Sequence, residues 1–170
     1  MSERNKLREK QIIIGMGVVG MSVAFIILIA SWFYIAYLGE DSVLTRLNVL
    51  SNSLILPVIL IVGLVINVGR KRFDASEAVR DGCNDDSIRI HQSILTNTTE
   101  QSLIFIMFLL FFTFKLDIGH LYMVYVYTLV FLLGMAVFIL GYLIRPIYRA
   151  TGFAMNISSA FMIICMMMFA

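Results

Sequence analysis

Charge is what this chain has least of. Only 14% of its 170 residues are Asp, Glu, Lys or Arg, against about 25% in a soluble domain. That scarcity excludes an ordinary soluble fold, and the scattered basic residues lack the density of a nucleic-acid surface, so no nucleic-acid partner is expected. Two cysteines, Cys83 and Cys165, give neither a disulfide framework nor a metal cluster. Two histidines, His91 and His120, fall near opposite ends of their segments, so no metal site can be built from them. Ser-His-Asp and zinc-ligand spacings are missing, as are a phosphate-binding glycine loop, an internal repeat and a low-complexity linker. Of the two prolines only Pro57 falls inside an apolar run, where it is expected to kink or loosen a helix.

What fills the space is apolar. The chain is 60% hydrophobic, with a mean hydropathy of +0.91, which marks an integral membrane protein. Five apolar segments occupy about 11–38, 47–69, 93–114, 119–144 and 152–170. Each is near or above the ~20 residues needed to cross a bilayer as a helix. Helices are the only open-ended solution, since every span must satisfy its own backbone groups. The first segment is far longer than the ~7–15-residue apolar core of a cleaved signal, so it reads as a retained helix. Trp32, Phe33, Tyr34 and Tyr37 at its end suit an interfacial aromatic belt. Eleven of the thirteen basic residues fall on one side of a five-span arrangement. That asymmetry predicts a cytoplasmic N-terminus and a C-terminus on the opposite side.

Two polar stripes interrupt the apolar pattern. The first is Arg89, Ser93, Asn97, Glu100 and Gln101, with Asn97 and Glu100 three residues apart on a shared helical face. A carboxylate in an apolar run is expensive and by default marks a functional site. Interhelical hydrogen bonding, worth about 1 kcal/mol or less per contact, accounts for the same residues equally well. The second stripe is Phe138, Tyr142, Arg145 and Arg149, spaced four, three and four along one helical face that Pro146 interrupts. Basic residues that snorkel to headgroups at a helix end would produce it too. With Arg70, these residues lie toward the cytoplasmic ends of the last four spans, where a bundle can bring them to one inner-leaflet pocket. The sequons at Asn97 and Asn156 lie in or beside apolar spans and are discounted as glycosylation sites.

Three features in order resemble the MAPEG superfamily, the membrane-associated proteins of eicosanoid and glutathione metabolism, which includes the microsomal glutathione transferases. Gly69-Arg70-Lys71-Arg72 closes a helix before a polar loop with Asp81-Gly82. His91-Gln92 precedes Asn97-Thr98-Thr99-Glu100-Gln101, which is similar to the family's N-x-x-E motif. Gly141-Tyr142, Arg149 and Gly152-Phe153 resemble its helix-three exit. The resemblance covers about 48–170 and implies an all-α membrane bundle: a four-helix core over 47–170, preceded by a basic tail and one added transmembrane helix over 1–46. It implies a homotrimer in membrane lipid that binds glutathione and acts on an apolar small-molecule electrophile or lipid peroxide. Asn97 and Glu100 would hold the peptide backbone beside Gln101 and Arg89. Arg70 would hold a carboxylate, Tyr142 would lie near the sulfur, and Arg149 would be the catalytic, thiol-activating residue. The chain departs from the family pattern at Ser93, Met135 and Phe138, where active members carry arginine, arginine and a polar aromatic or histidine. Those departures leave a second expectation open: a non-catalytic scaffold or lipid-binding protein on the same fold.

Overall fold

The computed structural model describes residues 3–34, 39–74 and 86–169. Tyr37, Arg80, Asp81-Gly82 and Cys83 lie outside them. The described residues form five long helices: α1 (Glu3–Tyr34), α2 (Val43–Asp74), α3 (Asp86–Lys115), α4 (Met123–Ile144) and α5 (Arg149–Phe169). A single 3-10 turn, Ile118–His120, precedes α4. All five helices are long and apolar enough to cross a membrane. The apolar segments 47–69 and 93–114 fall within α2 and α3, and 119–144 is taken up by the 3-10 turn and α4; the described parts of 11–38 and 152–170 fall within α1 and α5, with 35–38 and 170 outside the described residues. α2 stays helical through Pro57, whose ring is buried against the bundle, so the expected loosening leaves the helix continuous.

α4 is the central helix, the one that packs against all four others. Its buried positions, from Met123 through Phe131 to Gly141, recur every three or four residues and form one broad face, while Leu129, Leu133 and Leu140 on the other face are exposed. Phe105 of α3 stacks on Phe131 with ring centres 4.0 Å apart and tilts against Tyr127 at 4.9 Å. α5 lies between α4 and α1, and α2 packs chiefly on α3. Ala24 and Leu28 of α1 belong to the same buried cluster as Phe105 and Tyr127, so the first span is packed into the bundle.

Close approach depends on missing side chains, as is common where membrane helices cross. Gly152 of α5 lies directly on the Gly134 carbonyl and the Phe138 backbone of α4. Gly20 of α1 lies on the Thr151 carbonyl of α5. At these two points the backbones themselves form the seam.

The end of the bundle remote from the N-terminus is closed by a latch that hydropathy does not reveal. The last carbonyls of a helix lack intrahelical partners. Arg46 donates through Nη1 to the Thr113 and Leu116 carbonyls of α3, both at 2.8 Å, and through Nε and Nη2 to Asp41 at 2.8 and 3.0 Å. Nearby, Trp32 stacks on His120 with ring centres 4.1 Å apart. Arg46→Ala is expected to cost about 1.5–3 kcal/mol, the range for hydrogen bonds to a charged group, read as a lower midpoint in thermal unfolding. The Arg46 guanidinium holds the Asp41 carboxyl below its usual value of 3.8. A carboxyl depressed on folding stabilises the fold above its unfolded pKa, and that contribution fades as pH falls through the folded one. Acid destabilisation below about pH 4 should therefore be shallower in Asp41→Asn.

Candidate functional site

At the N-terminal end of the bundle the helices part around a cavity of about 490 Å³. Its walls come from four helices and one turn: Ile13 of α1, Asn97 of α3, Phe138 of α4, Pro146 and Ile147 in the turn, and Arg149 with Phe153 of α5. The two stripes thus meet, the first through Asn97 and the second through Phe138 and Arg149.

The turn between α4 and α5 makes that meeting possible. Proline pushes the residue before it out of the helical region. Arg145 accordingly sits at φ −154°, ψ 134° and ends α4, its N–H still bonded to the Gly141 carbonyl at 3.0 Å. The Tyr148 N–H then donates to the Arg145 carbonyl at 2.9 Å, and α5 begins at Arg149. The reversal is tight enough that a Cβ on Gly141 would lie 2.7 Å from the Tyr148 carbonyl and 2.9 Å from the Arg149 nitrogen.

Stripe two is therefore not one continuous helical face, as its spacing predicts. Phe138 and Tyr142 are on α4, Arg145 caps that helix, and Arg149 opens the next. The group still holds together, because the turn brings the Arg149 guanidinium back over the Tyr142 ring, 4.8 Å from its centre. Tyr142 in turn meets Phe138 edge-on at 5.8 Å. A guanidinium over an aromatic face gains about 0.5–1 kcal/mol at an exposed site. Arg149 thus has a preferred place while its donors stay open to solvent or ligand.

Asn97 is half-buried, and its Nδ2 donates to the Ser93 carbonyl at 2.7 Å. Its own amide oxygen remains available as an acceptor. The other members of stripe one go elsewhere. Gln101 is turned into the seam between α3 and α5, where its Oε1 accepts from Asn156 Nδ2 at 2.9 Å. Glu100 lies on the outward face of α3, exposed and without an ion pair among the described residues. Arg89 is exposed near the start of α3. Arg70 is exposed on α2, almost opposite the buried Val68, and does not line the cavity. At that end of α2 it is Arg72 that crosses to α3, donating to Gln92 Oε1 at 2.7 Å.

The Gln101–Asn156 pair is the centre of a buried polar patch that sequence reasoning missed, because Asn156 drew notice only as part of a sequon. Asn156 Oδ1 lies directly over Gly134 of α4, in space that a Cβ there would fill. Thr98 Oγ1, Ser102 Oγ, Gln101 Nε2 and Asn156 Oδ1 are buried without a protein hydrogen bond. A buried amide that loses its partner costs about 1–3 kcal/mol, so each amide of the pair holds the other in place. Two signals were legible: an asparagine deep in an apolar helix, and a glycine on the helix beside it. Ile13 was also missed, and nothing in the sequence separates it from other apolar residues; Phe153 was singled out with Gly152 only as part of the helix-three exit, not as a wall of the site.

Comparison with models of known protein families, with curated proteins and with solved structures finds no match.

Proposed function

We propose that this protein is a membrane-embedded, glutathione-dependent transferase or peroxidase-like protein of the MAPEG type, using the Arg149 guanidinium to stabilise a thiolate. The observation that supports this best is the shared cavity: Asn97 and Arg149, from the two stripes, line one space of about 490 Å³. That volume suits a small-molecule site, which typically spans about 300–1,000 Å³. A cation beside a thiol favours the thiolate, and the thiolate is the nucleophile. The Asn97 amide oxygen suits a peptide N–H. Glu100, one turn along and rotated outward, suits an α-ammonium at the rim. In conjugation the sulfur would bond to an electrophilic carbon while a leaving group departs. In peroxide reduction the sulfur would take the outer oxygen as the O–O bond breaks, and a second glutathione would then form the disulfide and release water.

A homotrimer fits the outward-facing charges. Glu100 shares the exposed face of α3 with Ile104, Met107 and Phe111, and Arg70 is exposed on α2. Against lipid an outward carboxylate is costly; against a second copy it has a use. The basic residues of the tail and loops support placing this end of the bundle in the cytoplasm. Phe138 and the largely apolar lining favour the second reading, a non-catalytic lipid-binding protein.

Thermal unfolding of the detergent-solubilised protein with and without millimolar glutathione separates the two. A ligand that binds only the folded state raises its stability, by about 2.7 kcal/mol at a hundredfold excess over Kd, so an upward shift is expected. A folded protein whose midpoint glutathione leaves unmoved would sink the glutathione reading.

A further inference from the structure

The first helix contributes a wall to the cavity, and its position there is fixed by contact between backbones. Ile13 stands one turn before Gly17 and two before Gly20, on the same face of α1. Gly17 lies against Ala154, with 3.8 Å between a Cβ placed there and the Ala154 Cβ, and Gly20 rests on the Thr151 carbonyl. These contacts fall within a turn or so of Arg149, so the height of Ile13 relative to the guanidinium is set by the crossing. α1 and α3 both reach α5 but share no seam of their own. Over the first turns of α5 they are the two banks of a groove, with Ile13 on one and Asn97 on the other. Ile13 and Phe153 remain 41% and 46% exposed, so the groove is open on their side. Phe138, 1% exposed, forms its inner wall, and the half-buried Asn97 and the exposed Arg149 line the same space.

We infer that α1 sizes the apolar arm of this pocket, with Ile13 as the residue that gauges it. The ligand class is an amphiphilic thioether, a glutathione carrying an alkyl chain on its sulfur, whose polar peptide end lies at Arg149 and Asn97. Its alkyl chain leaves between α1 and α3 into the membrane. The inference rests on the glutathione reading for the polar end and adds the chain, its exit and the residue that selects its length.

The test uses S-methyl-, S-hexyl- and S-decylglutathione, with affinities taken from thermal stabilisation of the full chain in nanodiscs. In the wild-type protein, affinity should climb with chain length, by about fourfold for each methylene that leaves water, until the chain passes Ile13. Ile13→Trp narrows the gap and should cost S-decylglutathione about tenfold, while S-methylglutathione binds as before. Ile13→Ala, which needs no added space, removes the contact and should forfeit about fivefold of the same gain. Gly20→Leu displaces the wall and should flatten the dependence on chain length. An identical chain-length series in the wild type, Ile13→Trp and Ile13→Ala would overturn the role of α1 while leaving the glutathione site standing. Failure of all three ligands to stabilise the wild type would remove the polar end, and the inference with it.

Discussion

Gly152→Leu is expected to lower the unfolding free energy by about 3 kcal/mol or more, the upper range for side chains forced into a packed seam. Most overpacked sites relax by moving a neighbouring side chain. Here the atoms in the way are the Gly134 carbonyl and the Phe138 backbone, which cannot move unless α4 does. α4 in turn packs on every other helix, so its displacement would disturb the whole core. A leucine at Gly63, where a Cβ meets nothing within 4 Å, is the matched control and should leave the midpoint nearly unchanged. Equal midpoints for the two variants in detergent would mean that α4 and α5 do not meet at Gly152. The same substitution should also empty the site, since Arg149 stands one turn away on the same helix.

The spans were legible because bilayer crossing is decided by composition summed over about twenty residues, and local errors average out. Which side chains share a site is decided by rotation about a helix axis, and one residue of rotation is about 100°. Asn97, Glu100 and Gln101 looked like one cluster in the sequence. On α3 that rotation sends Asn97 to the cavity, Gln101 into the α5 seam and Glu100 outward. The cluster at Arg149 survived for a reason its four-three-four spacing did not contain. Pro146 ended the helix and Gly141 let the chain fold back, so the guanidinium regained the Tyr142 ring from the other side. Arg46 was not legible at all as a latch. Its partners on α3 are backbone carbonyls 67 and 70 residues away, and no residue type at those positions announces them.

On the proposed reading, Arg149→Ala is expected to reduce glutathione conjugation of a chloronitrobenzene about 25-fold near neutral pH, with little change in thermal stability. A free thiol titrates near pH ~8.5. A guanidinium close enough to lower that by about two units supplies roughly 2.7 kcal/mol of preference for the thiolate. Without it, a small fraction of bound glutathione is ionised at neutral pH. The deficit should then depend on pH in one direction. The pKa lowered by the cation keeps the wild-type thiolate present well below the free value, whereas the variant gains thiolate only as pH rises toward it. The ratio of the two rates should therefore shrink with increasing pH, which a purely structural loss would not produce. Arg149→Lys keeps the charge but gives up the planar group over Tyr142, so it should fall between the two and retain part of the low-pH advantage. Stability should barely move in either variant, because Arg149 is exposed and its ring contact is worth at most about 1 kcal/mol. Identical rates for wild type and Arg149→Ala across the whole pH range would show that no sulfur is activated there. The cavity would then belong to a lipid.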